Sequence, residues 1–463
     1  MKSKSGGGGG KTRQRKGERD KHVPAATAKE EGKRVAILVL GDIGRSPRMQ
    51  YHALSLAKAG LAVDLIGYAG STPMEGICAC PTISIRHLPQ LPWSAPRTIF
   101  YLYAVLKVLH QVVVLFWVIL ATITRPDFIL VQNPPAIPTL LVARTCAMIT
   151  GARLIIDWHN YGYTILGMRL GSEHPVVSLA RRFERFFGKS AYAHLCVTDA
   201  MASDLRDKWR ISGRLIVLHD KAPRHFRRLD AEEIHKLWTR LLADPQFAQL
   251  QLHAGGRHGA AYSLLTRRRR DGAVEVRRDR PMLVVSSTSW TADEDFSILL
   301  EALALYDKAA IVVQMPRLVV LITGKGSLRG FYESEIARLQ LGSVSIVTAW
   351  LSAEDYPLLL GSADLGISLH TSSSGLDLPM KVVDMLGCGT PVCAYKFSCI
   401  DELVTSDNGL VFSSGPELAQ QLQDLATHLN RSHGTYSQLL QGANRFRKVD
   451  WDTHYTRALE LFQ

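Results

Sequence analysis

Short, unbroken apolar runs that end in glycine, serine or a charged residue, and lead straight into a helical pattern, recur along most of this chain. "VAILVL" (35–40) ends in Gly41-Asp42-Ile43-Gly44; "FILVQNPP" (128–135), "RLIIDWHNYGY" (153–163), "AHLCVTDAM" (193–201) and "RLIVLHDKAP" (214–223) follow. A run apolar at every position is buried on both faces, the mark of a strand inside a parallel sheet. Parallel neighbours cannot be joined by a hairpin and need a crossover helix. The first crossover is punctuated accordingly: Ser46 at the N-cap, Pro47 at the first helical position, Gly60 at the end, and a second strand over 62–66. The rhythm predicts α/β units with glycine turns at the carboxyl ends of the strands, where open sheets bind ligands. Gly41-Asp42-Ile43-Gly44 lacks the GxGxxG spacing, which argues against a nicotinamide site.

From about 224 to 280 the rhythm weakens and arginines accumulate; at 282 it restarts. "MLVVSSTSW" (282–290), "LVVLITGKG" (318–326), "VSIVTAWL" (344–351), "DLGISLHTS" (364–372), "PVCAYKF" (391–397) and "NGLVF" (408–412) form a second series. A chain of 463 residues is too long for one core. The expected architecture is therefore two facing Rossmann-like domains with a cleft between them. We expect a disordered basic tail over 1–33, a first domain over 34–222, a linker or insertion over 223–281, a second domain over 282–440, and a C-terminal helix over 441–463.

The net charge of +13 is concentrated in two places. Residues 1–34 carry eleven Lys/Arg against four acids, and 267–280 ("RRRRDGAVEVRRDR") carry seven against three. Two basic appendages on a nearly neutral body argue against a nucleic-acid-binding fold; they read as solvated segments or as contacts to anionic lipid. The cysteines (78, 80, 146, 196, 388, 393, 399) form no CxxC pair and are odd in number, which suits reduced thiols facing the cytosol. "TIFYLYAVLKVLHQVVVLFWVILATI" (98–123) is long enough to span a bilayer, but Lys107, His110 and Gln111 interrupt it. It reads as a helix lying on or in a membrane, or buried between layers, with a lipid-facing stripe of Val105, Leu109, Val112, Phe116 and Ile119. Phe183, Phe186 and Phe187, among the arginines of "LARRFERFFGKS" (179–190), either assist it or pack in the core.

The densest chemistry is "SSSGLDLPMKVVDMLGCGTPV" (372–392). A buried strand empties into small hydroxyl residues whose hydroxyls and amides suit an anion. A helix then starts near Leu378-Pro379 with Lys381 in its first turn, adding dipole and charge. Asp377 and Asp384 suit sugar or ribose hydroxyls. A nucleotide-diphosphate sugar needs this mixture, whereas an ordinary serine-capped strand–loop–helix needs only part of it. Asp293-Glu294-Asp295 matches a loose DxD metal pattern, but complementing the dipole of the helix that follows explains it as well. No metal site is read, and divalent-metal dependence is left open.

These segments carry a resemblance. "DYPLLLGSADLGISLHTSSSGLDLPMKVVDMLGCGTPVCA" is similar to the donor-binding segment of GT-B glycosyltransferases. Together with "LVLGDIGRSPRMQYHALSLA", "VQNPP", "LIIDWHNYGY", "LCVTDAM" and "SSTSWTADEDFSILLEAL", it resembles glycosyltransferase family 33, the chitobiosyldiphosphodolichol β-mannosyltransferases, over about 34–222 and 282–412. The resemblance implies an inverting transfer of mannose from GDP-mannose, the donor substrate, to GlcNAc2-diphosphate-dolichol, with no tightly bound cofactor. It places that step in N-glycan precursor assembly on the cytosolic face of the endoplasmic reticulum membrane, with other early mannosyltransferases as candidate neighbours, and without nucleic acid. Many GT-B relatives carry two glutamates eight positions apart in this segment; here Leu376 and Asp384 occupy those positions. Animal members begin with a membrane anchor where this sequence has a polar tail, which shifts membrane contact to 98–123.

The expected donor side comprises Ser286, Ser287, Gly324, Ser373, Ser374, Gly375, Leu376, Asp377, Lys381 and Asp384, and the acceptor side Gly41, Asp42, Gly44, Arg45 and Arg48. Inversion by single displacement needs a base and a group to stabilise the leaving diphosphate. His159 or Asp157 is the candidate base, with Asp157 alternatively orienting the ring, and Lys381 stabilises the leaving group. A non-catalytic GT-B relative that scaffolds a glycosylation complex, or an enzyme using another nucleotide sugar or acceptor, is the competing reading.

Overall fold

The computed structural model describes residues 32–91, 100–254, 261–291, 293–429, 431 and 433–463. The expected tail (1–33), apart from its last two residues, and the first two residues of the 98–123 segment lie outside them.

The apolar runs are the strands. β1 (Arg34–Asp42), β2 (Ala62–Tyr68), β3 (Ile83–His87), β4 (Phe128–Asn133), β5 (Arg153–Trp158), β6 (Ser190–Cys196) and β7 (Ser212–Val217) form one sheet. Its order is β3-β2-β1-β4-β5-β6-β7, and every pairing is parallel. A hairpin of β8 (Thr266–Arg268) and β9 (Val274–Val276) separates it from the second series. β10 (Met282–Ser287), β11 (Leu318–Thr323), β12 (Val344–Ala349), β13 (Leu365–Ser368), β14 (Val392–Tyr395) and β15 (Gly409–Phe412) form a second parallel sheet, in the order β12-β11-β10-β13-β14-β15. In both sheets the order reverses beside the first strand, so the carboxyl ends of β1 and β10 open at a topological switch point.

The weak-rhythm segment is not a slack connection. Asp230 and Glu233 form a capping box on the helix Ala231–Leu241, and Ile234, Leu237, Trp238, Phe247, Leu250 and Leu265 share one core with Leu283, Val285 and Leu321 of the second sheet. The chain end crosses back. The helix Thr435–Phe446, which contains the expected boundary at 441, packs in the second half, whereas Trp451, Tyr455, Leu461 and Phe462 pack under the first sheet with Val35, Ile37 and Phe128.

The long apolar helix runs Phe100–Trp117 and continues through a π-helical turn, Val118–Thr122. Its phase differs from the expected stripe. Ile119 is buried, and Val112 and Phe116 pack against the core of the first half. Leu102, Val105, Leu109, Val113 and Trp117 are the residues turned outward, each more than half exposed. Gln111 is one of the polar interruptions: it faces inward and donates to the Tyr68 hydroxyl at 3.0 Å. The phenylalanines of the helix Pro175–Gly188 divide likewise: Phe183 and Phe187 pack inward, and Phe186 lies exposed beneath the Arg144 guanidinium.

Candidate active site

β5 carries "LIID" through the middle of the first sheet and delivers Asp157, fully buried, to its carboxyl end. Arg48 clamps the carboxylate from the first helix, Nε to Oδ2 at 2.8 Å and Nη2 to Oδ1 at 2.9 Å. The same oxygen, Oδ2, receives Nε2 of His52 at 3.0 Å and Nε2 of His159 at 2.7 Å. Burial alone would raise the carboxyl pKa; Arg48, then His159 and His52, outweigh it and hold the group well below the usual carboxylate range. An ionised Asp157 accepts only, so each histidine carries its proton on Nε2. His52, kept neutral by burial, then accepts at Nδ1 from the Tyr455 hydroxyl at 2.9 Å. His159, about a quarter exposed, lines the cleft.

Three expectations about this end change. Both oxygens of Asp157 are already engaged by four donors, a geometry that favours the orienting alternative over the base. Arg48 does not reach out to an acceptor: it is 5% exposed, and four of its N–H groups go to Asp157, Asp220 and the Leu218 carbonyl. Asp42 is a turn residue, accepting the amides of Gly44 at 3.0 Å and Ser71 at 2.8 Å. The Ser71 amide is the largest influence that lowers its pKa. Gly44 is required by close approach, since a Cβ there would sit 2.3 Å from the Ser71 carbonyl, whereas a Cβ at Gly41 would make only an ordinary contact with Val39 at 3.8 Å. Arg45 remains exposed at the mouth, donating to the Ser71 hydroxyl.

A cleft of about 300 Å³ separates this end from the second half. Arg45, Ser46, Gln132, His159, Asn160 and Asp220 line one wall, and Asp377, Leu378 and Met380 the other. The serine loop closes on itself rather than opening its amides to the cleft. Ser372 donates to Asp377, its hydroxyl accepts the Gly375 amide at 2.9 Å, and the Ser374 hydroxyl accepts that of Leu376 at 3.2 Å. The cause is Asp377: burial pushes its carboxyl up, and the nearby hydroxyls and His370 partly offset this. Gly375 sits at φ +72°, the left-handed region that favours glycine. Across the cleft Asn160 donates to Asp377 at 2.8 Å and to the Ser373 hydroxyl at 3.1 Å, and Thr198 donates to the Leu376 carbonyl at 2.6 Å.

The helix Met380–Gly387 follows, with Lys381 in its first turn. Lys381 pairs with Glu294, which is nearly fully buried and also accepts from the Thr288 hydroxyl at 2.6 Å and the Ser289 amide at 2.8 Å. The acidic triplet thus supplies a partner for the lysine. One turn on, the Asp384 side chain has no hydrogen-bond partner among the described residues. Burial first, and the Asp220 carboxylate second, push it up to about 8. Ser287 bonds the Tyr356 hydroxyl at 3.0 Å, and the buried Ser286 hydroxyl has no hydrogen-bond partner among the described residues. Gly324 is a packing requirement, because a Cβ would fall 1.8 Å from the Thr288 carbonyl.

Sequence reasoning missed Asn160, Asp220, Glu184 and Glu402. Asn160 stands inside a motif already singled out, one place beyond His159. Glu184 is fully buried and accepts from Asn133 and the amides of Gly162 and Tyr163, anchoring the helix that follows β5. Glu402 reaches from the second half to cap the helix Asp199–Asp207 of the first, taking the Asp199 and Ala200 amides at 2.7 Å each. Such long-range partners leave no local sequence signal.

Comparison with known proteins agrees with this layout. Residues 44–221 match the model of the glycosyl transferase 4-like domain, and 268–436 that of the glycosyl transferases group 1. The chain is 42% identical to the human chitobiosyldiphosphodolichol beta-mannosyltransferase over 97% of this chain and 94% of that protein. It is 42% identical to the Dictyostelium discoideum protein of the same name, covering 85% and 84%, and 45% identical to the Arabidopsis thaliana UDP-glycosyltransferase TURAN, covering 84% and 88%. Among solved structures, a sucrose-phosphate synthase from Thermosynechococcus elongatus superposes with a TM-score of 0.61 at 14% identity, covering 93% of this chain and 98% of that one. Anabaena HepE in complex with UDP gives 0.58 at 15% identity, covering 93% and 99%. These two share the GT-B fold: two facing α/β domains.

Proposed function

This chain belongs to the chitobiosyldiphosphodolichol β-mannosyltransferases, and from that premise we propose how its cleft transfers mannose. It is a glycosyltransferase that adds the first, β-1,4-linked mannose of the N-glycan precursor. The donor is GDP-mannose and the acceptor GlcNAc2-diphosphate-dolichol. The observation that carries the assignment of roles is the 2.7 Å bond between His159 and the buried Asp157. It fixes the ring and its tautomer, leaving Nδ1 to take the proton of the attacking hydroxyl. Arg48 keeps Asp157 ionised and stationary. Lys381 and the amino end of the helix Met380–Gly387 stabilise charge on the departing diphosphate. Asn160 links the two walls and reports their closure.

Catalysis takes place on the cytosolic face of the endoplasmic reticulum. The outward row Leu102, Val105, Leu109, Val113 and Trp117 lies on that membrane. The first experiment is purified protein with GDP-[14C]mannose, GDP-glucose or UDP-sugars, and a GlcNAc2-diphosphate-lipid. Product released by β-mannosidase, and formed from GDP-mannose alone, is expected. Transfer from a UDP-sugar instead would move the chain to the competing reading that the Arabidopsis relative's name suggests.

A further inference from the structure

One cavity of the first half takes no part in the reaction as described. It holds about 340 Å³, the size of a small-molecule site. It lies between the loop 134–137 and the helices Gly162–Leu170 and Pro175–Gly188. Pro135, Ala136, Ile137, Ile165, Leu166 and Ala180 make its wall apolar. The one carboxylate in it, Glu184, has its oxygens turned to Asn133 and to two backbone amides, so the floor offers a ligand little charge.

Two observations say what such a groove is for. It opens beside the reaction cleft, because Pro134 lines both. Its lining carries a cation: Arg169 is exposed and has no ion pair among the described residues. A polar cleft that adjoins an apolar trough with a cation in its wall matches the parts of a lipid-linked sugar: saccharide, diphosphate, hydrocarbon.

We propose that this groove holds the first isoprene units of the acceptor's polyprenyl chain, with Arg169 facing the diphosphate. The proposal rests on the acceptor assigned above.

The test separates this from the reaction itself. A benzophenone-tagged prenyl diphosphate without sugar is photolysed on the full-length protein in detergent, and the adduct is mapped by mass spectrometry. Label within 134–137, 162–170 or 176–184, displaced by unlabelled prenyl diphosphate but not by phosphatidylcholine, is expected. It would stand even if no mannose were transferred. Label elsewhere, or equal displacement by phosphatidylcholine, overturns the proposal. In parallel, Ala180→Trp or Leu166→Trp fills the trough. The KM for a long-chain acceptor should rise roughly tenfold, about 1.4 kcal/mol, with the KM for a water-soluble two-carbon analogue unchanged. An equal effect on both acceptors, or none on either, rejects the groove; if neither variant folds, the adduct map decides.

Discussion

The two walls of the cleft handle charge in opposite ways. In the first half, Asp157 is fully buried yet meets four donors from Arg48, His52 and His159, so it stays ionised and does not move. In the second half, Asp384 has no hydrogen-bonded partner among the described residues, faces another carboxylate, and titrates near neutrality. Ser286, also in the second half, is buried without a hydrogen-bond partner among the described residues. The Asp157 network is satisfied within the chain, although Gln132 Oε1 in the same wall is buried without a partner among the described residues; Asp384 has no such network.

The sharpest way to break this contrast is at its rigid end. Asp157→Ala leaves the Arg48 guanidinium buried without its main partner, a change that costs about 3–5 kcal/mol. We expect loss of soluble protein or a large drop in melting temperature, together with loss of turnover. Near-normal melting and activity would mean that the network is decoration.

His159→Ala, one bond further out, should separate chemistry from folding. Turnover should fall by roughly 10²- to 10⁴-fold, as for loss of a general base, with the melting temperature barely changed. A bell-shaped pH profile that keeps its acidic limb in the variant would place the base elsewhere.

On the second wall, Lys381→Ala is expected to cost on the order of 10²-fold in kcat. The fold should hold, because Glu294 keeps the Thr288 hydroxyl and the Ser289 amide. Unchanged kcat in a detergent assay would remove Lys381 from the leaving-group site.

Asp384 gives a smaller, pH-dependent effect. Its folded pKa is raised to about 8, so the folded chain holds a proton that the unfolded chain releases near pH 4. Stability is therefore lost as pH rises from about 4 to about 8. Asp384→Asn should match the parent near pH 4 and melt several degrees higher at pH 8, at about 2–4 °C per kcal/mol for a domain of 150–250 residues. Parallel melting curves across that range would show that the carboxyl is solvated.

The smallest effect concerns the outer surface. Leu109→Gln with Val113→Gln should release the protein from microsomes in high salt, leaving melting temperature and activity on a water-soluble acceptor intact. The same change at Phe116 should instead lower stability, because that ring packs on the core. If both variants behave alike, the two faces are not distinct.

What the sequence disclosed follows the range of the interactions involved. Strand ends were legible because burial on both faces writes a continuous apolar run, so Asp157 and His159 could be placed at one. Arg48 could not be placed: from sequence alone, an arginine on a first helix points equally well into solvent or under the sheet, and the carboxylate that decides is 109 residues away. The phase of the 98–123 helix was misread for a related reason. A helix apolar nearly all round carries few polar residues to mark its outside, and Gln111 marks the inside instead. The serine loop was read as an anion cradle because hydroxyls suit anions; the anion they meet is the chain's own Asp377.

The helix Trp451–Leu459 has a consequence for the timing of synthesis. Trp451 bonds Ser55 at 3.0 Å and lies beneath the Arg48 guanidinium, and Tyr455 supplies the hydroxyl that sets His52. The carboxylate at residue 157 therefore gains its full set of supports only when residue 455 has been made. At about 5–20 residues per second, that is roughly 15–60 s later. Until then a nascent first half has its sheet but lacks part of the frame around His52 and Asp157. A premature stop codon just before 451 would leave both sheets translated and that frame permanently incomplete.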